Sequence, residues 1–242
     1  MQNTSDLYKE LLAGAHSVES RLAVGTKDTP ISFPRTFYTE DQLVKMETVR
    51  KCFAGEQPSV GSCTSGEITV TMLYPETEPP RHAKIVPQIR LTDGERCSEW
   101  ISKGVFYIDT RKHCGVGSGV ETLTFTGFDA MLMAEQDYPS STLMWPAKDI
   151  DVVREIAQFI GVDIDPRTVA LMTGGYDIQY PGGQYSCRET LGYIAAMYGG
   201  SFVMSDIGEL RLVTLNSMPK ATRYLVDNTG AAITFGGVRI LV

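Results

Sequence analysis

Five groups of residues in this 242-residue chain have types and spacings that invite a chemical reading. Residues 115–119 read Gly-Val-Gly-Ser-Gly, the composition of a loop that cradles phosphate. A dinucleotide loop lies between a strand and a helix and carries a third glycine in the pattern G-x-G-x-x-G. Here position 120 is Val and a strand-like run follows, so the segment reads as a flexible hairpin loop. His113 and Cys114 would serve as metal donors or as a nucleophile and its base. Adjacent residues do not converge on one ion, and no second Cys/His cluster has zinc-like spacing. A Cys–His catalytic pair would need a tertiary proximity that the sequence does not display. His16 and His82 sit in polar surroundings.

Acids recur as Asp149/Asp151 and Asp163/Asp165. Paired carboxylates serve hydrolysis or calcium binding. The first pair flanks an expected helix start, where acids favour the macrodipole. The second precedes Pro166 in an expected turn, and no D-x-D-x-D-G loop is present. Trp100, Phe106, Tyr107, Phe125 and Phe128 would stack nucleobases if cations surrounded them. The one short basic run, residues 109–113 (Asp-Thr-Arg-Lys-His), reads as a solvated hairpin end, so the aromatics read as core. No residue is therefore assigned as catalytic, cofactor-binding or metal-binding, and no cofactor is expected.

The elements that position these groups follow from hydrophobic periodicity. Residues 67–73 alternate, with Ile68, Val70 and Met72 on one face and Thr69 and Thr71 on the other. Residues 83–91 alternate through Ile85, Pro87, Ile89 and Leu91, the proline suggesting an edge or a bulge. Residues 105–109 and 120–128 are rich in β-branched and aromatic types. Turn chemistry at Pro79-Pro80, Asp93-Gly94 and 115–119 separates these runs, predicting an antiparallel barrel or sandwich within residues 1–145. Residues 42–53 fit a helix or a strand.

Near Pro146 the period changes. Residues 149–160 predict a helix with Ile150, Val153, Ala157 and Ile160 on one stripe, capped by Asp149 and ended by a left-handed Gly161. Ser186 and Glu189 form an S-x-x-E capping box before Cys187, Leu191, Ile194, Ala195 and Tyr198 at helical spacing. A hairpin is expected over 201–215, with its turn at 205–208. The expected fold class is thus α+β, mainly β: a barrel or sandwich over 1–145, a small α+β domain with two helices and a hairpin over 146–216, and a linker with the start of a further β domain over 217–242.

Composition narrows the partners. The net charge of −7 argues against tight nucleic-acid binding. No run approaches the ~18 apolar residues of a membrane-spanning helix. Residues 1–10 are polar and acidic, unlike a secretion signal. The five cysteines are irregularly spaced and read as free thiols made in a reducing cytosol.

Several segments, taken in order, resemble the hub proteins of bacteriophage and prophage tails, especially those of Gram-positive prophages. They are Val60, Gly61, Ser62 and Cys63 leading into Glu67-Ile68-Thr69-Val70; Trp100 through Gly104 into Val105-Phe106-Tyr107-Ile108; residues 123–132; and above all 185–202 running into Gly208-Glu209-Leu210-Arg211-Leu212. The resemblance covers about residues 40–242 and makes 42–53 a strand. It implies a structural, non-enzymatic part of the tail tip or baseplate hub, made in the bacterial host cytoplasm and carried in the virion. Its expected partners are itself, as a homotrimer of the full-length protein, and the tail tube, distal tail and tail fibre proteins. DNA would pass through the lumen without specific binding. A tail-associated peptidoglycan hydrolase and a host-surface carbohydrate-binding module are the alternatives. Residues 231–242 read as strand, break and strand, implying a fragment that continues into a second barrel.

Overall fold

A computed structural model describes residues 4–25, 36–55, 57, 59–115, 117, 119–180, 184–215, 234–235 and 238–239. Helix α1, Asp6–Ala13, comes first; the Ser5 hydroxyl caps it by accepting from the Tyr8 amide at 3.0 Å. Eight strands then build one antiparallel sheet: β1 Ser17–Gly25, β2 Thr36–Thr39, β3 Leu43–Val49, β4 Glu67–Leu73, β5 Lys84–Thr92, β6 Ile101–Ser102, β7 Phe106–Cys114 and β8 Thr122–Phe128. Their order is β2-β1-β5-β7-β8-β4-β3, with β6 attached to β5. The end strands β2 and β3 are consecutive in the chain, joined by a turn in which the Gln42 amide donates to the Thr39 carbonyl at 2.9 Å. Among the described residues no ladder joins them, so the barrel is open along that seam.

Alternation fills the sheet. Val70 faces Phe125, and Met72 faces Leu123, all buried with Leu22, Ile85, Phe106 and Ile108 in one core. The opposite face carries hydroxyls, with the Thr71 and Thr124 oxygens 3.0 Å apart. Residues 42–53 contribute a strand, not a helix, since β3 pairs with β4 along its length. Pro87 departs from expectation, because β5 lies inside the sheet. It falls where β5 exchanges one neighbour for another, with Ile85 paired to β7 and Gln88 paired to β6. At that gap the missing amide proton of a proline is tolerated.

After β8 a short 3₁₀ helix, Ala130–Glu135, leads into β9 Ala147–Lys148, α2 Asp149–Ile160, α3 Pro166–Leu171, β10 Asp177–Ile178, α4 Cys187–Met197, β11 Gly200–Met204 and β12 Leu210–Thr214. The α4 capping box is complete: Ser186 Oγ accepts from the Glu189 amide at 3.1 Å, and Glu189 accepts from the Ser186 amide at 2.8 Å. Gly161 ends α2 at φ 75° as expected. Helix α3 is an addition to the two expected helices. Its start carries a legible signal, Asp165 as cap and Pro166 at the first position. Thr234–Phe235 and Val238–Arg239 pair as short strands β13 and β14. The expected linker over 217–230, and the rest of 231–242, lie outside the described residues.

A second core collects Met131, Ala134, Val152, Val153, Ile156, Leu191, Ile194, Phe202 and Leu212. It also takes Cys63 from the segment between β3 and β4. That segment runs beside β11: the Gly61 amide donates to the Gly200 carbonyl at 2.7 Å, the Phe202 amide donates to the Ser62 carbonyl at 3.0 Å, and Cys63 bridges Phe202 in parallel. Gly192 is required here, because a Cβ on it would meet the Gly61 carbonyl oxygen at 2.7 Å.

Candidate functional site

The residues flagged for chemistry are placed apart from one another. The loop 115–119 joins two antiparallel strands, and Gly115, Gly117 and Gly119 adopt φ of 79°, 77° and 88°. The basic run forms the solvated end of β7 at the β7–β8 hairpin, as expected, with Asp109, Thr110, Lys112 and His113 exposed. Arg111 and His113 stand opposite the buried Phe125 and Leu123, on the core side of the sheet. There they form a polar cluster. Arg111 donates to the Pro79 carbonyl at 2.7 Å and pairs with Glu78 at 3.1 Å. His113 stacks on Tyr74 with centroids 4.1 Å apart and meets Glu121 at 3.0 Å. Glu78, Arg81, Asp109, Thr110, Arg111 and His113 line a cavity of about 370 Å³ over Leu123. His16 contacts the Gly14 carbonyl, and His82 sits in a turn with φ 57°.

Neither acid pair converges. Asp149 is not the cap of α2. It is the first helical residue, 0% exposed, and it ties three segments together. Its carboxylate accepts from the Ile150 amide at 2.7 Å, the Tyr176 amide at 3.1 Å and the Tyr198 hydroxyl at 2.5 Å. Burial and this bond raise the Tyr198 phenol above its ordinary range. Asp165 caps α3 and pairs with Arg167, which holds its carboxyl below the usual range. The Thr168 hydroxyl then accepts from the Leu212 amide at 2.8 Å, fixing α3 to β12.

The most organised polar site is one that patterning alone did not indicate: the junction between the sheet and the second core. Arg50, just past β3, pairs with Asp206 in the β11–β12 turn at 2.6 Å and donates to the Lys103 carbonyl. The Gly104 amide donates to the Asp206 carbonyl at 3.1 Å. Arg188 of α4 donates to Ser65 Oγ and to the Met131 carbonyl, both at 2.8 Å, and pairs with Glu135 at 2.9 Å. Asp129 accepts from the Gly66 amide at 2.6 Å and from the Met131 amide at 3.0 Å. Arg50, Lys51, Asp129, Asp206 and Arg211 line a cavity of about 370 Å³.

Burial pushes the Asp129 carboxyl up to about 6, although the two amides and the nearby Arg50 and Arg188 oppose it. Both of its oxygens hold backbone, so the group acts as a tie. The buried Cys63 and Cys187 thiols are pushed up to about 12 and about 11 by burial, the reverse of an activated nucleophile. Among the described residues no group of three or more His, Cys, Asp or Glu gathers as a metal site. The arrangement is suited to holding segments in register.

The chain is therefore a mainly β, α+β protein whose polar sites fasten a curled antiparallel sheet to a compact helix–hairpin unit. No family model matches it, and no curated protein matches it in sequence. A solved structure shares its fold. The 43 kDa tail protein of prophage MuSo2 from Shewanella oneidensis superposes with a TM-score of 0.52 at 16% identity, over 88% of this chain and 60% of that one. The tail protein from Neisseria meningitidis MC58 gives 0.49 at 13% identity, over 91% and 59%. Prophage tail protein gp18 from Listeria monocytogenes gives 0.44 at 8%, over 87% and 55%. The chain thus spans about 60% of the length of the first two tail proteins.

Proposed function

We propose that the chain is a structural part of a phage tail, placed at the tail tip or baseplate hub, where it joins the tail tube to the apparatus for host recognition or wall penetration. The observation that carries this reading is the fold shared with the prophage MuSo2 tail protein along 88% of the chain. The ordered motifs from residue 60 to 212 point the same way, and so does a site inventory made of fastenings. In this reading residues 1–145 form a tube-like domain, 146–216 an α+β domain and 217–242 the entry to a further β domain. The complete protein is a homotrimer contacting tube, distal tail and fibre proteins, with DNA passing through the lumen unbound. It acts without catalysis.

Immunogold labelling of particles from the encoding phage or prophage tests the placement. Gold at the tail tip, with tails missing or incomplete when the gene is deleted, is the expected result. Complete tails lacking the protein would overturn it. A zymogram with Gram-positive cell walls is expected to show no clearing.

A further inference from the structure

We draw no further inference here: the strongest candidate, the exposed face of α4 where Tyr193 meets Tyr185 edge to face one turn before Met197, is an unpartnered apolar surface, and nothing in the structure shows what covers it.

Discussion

The two cores of the molecule are built on different rules. The sheet core is assembled by neighbours: alternate residues of adjacent strands meet face to face, and Val70–Phe125 or Met72–Leu123 follow from register alone. The second core gathers segments from Cys63 to Leu212 and fastens them with buried carboxylates and guanidinium groups. Where the backbone repeats, packing follows from the repeat. Where it does not, single polar side chains fix segments that share no ladder.

That contrast sets what should break each half. Phe106→Ala and Phe202→Ala empty fully buried sites, one in each core. Each is expected to cost about 3–5 kcal/mol in urea unfolding. A cost below about 1 kcal/mol at Phe202 would mean that the second core is not packed as described. Asp149→Ala strips a tie that serves the Tyr176 amide and the Tyr198 hydroxyl in separate segments. About 3 kcal/mol of lost stability is expected, since buried donors are left unpaired. Asp151→Ala, exposed on the same helix, should stay within about 0.5 kcal/mol.

Asp129 sharpens the comparison through pH. Its folded-state pKa is raised from 3.8 to about 6, chiefly by burial, so the folded chain holds the proton more tightly than the unfolded one. Its contribution to stability is fully present below pH ~4 and is lost as pH rises through ~6. Asp129→Asn should flatten the pH dependence between about pH 4 and 7, at a cost of about 1–3 kcal/mol near pH 4, because its side-chain NH2 cannot accept from one of the two backbone amides that Asp129 holds. Thermal melts across that range check the sign; equal pH profiles would dismiss it. A smaller effect than those in the cores is expected at the α4 capping box, which was plain in the sequence. Ser186→Ala should remove about 1 kcal/mol, with Ser186→Gly milder.

The same contrast explains what was legible. Strands β4 and β8, the left-handed end of α2, the α4 capping box and the final hairpin were readable, because period two, glycine chemistry and S-x-x-E are local statements. Asp149 was misplaced as a cap because Tyr176 and Tyr198, which claim its carboxylate, are distant in sequence. The basic run 109–113 was readable as a solvated hairpin end, but the face that Arg111 and His113 share with Phe125 and Leu123 was not, because those partners lie on the next strand. Arg50 and Arg188 carried no signal. A long cation is surface by default until its partner is known.

The strand-like segment at residues 61–63 has a consequence for the order of events at the ribosome. Cys63 cannot take its place until Phe202 exists. At a synthesis rate of ~10–20 residues per second, the early segment waits on the order of ten seconds for its mate. Meanwhile β4 to β8 emerge between the two and can pair among themselves, so the sheet is free to close first. The segment then stays as an open socket on a folded platform, and the later hairpin is received by a surface already standing.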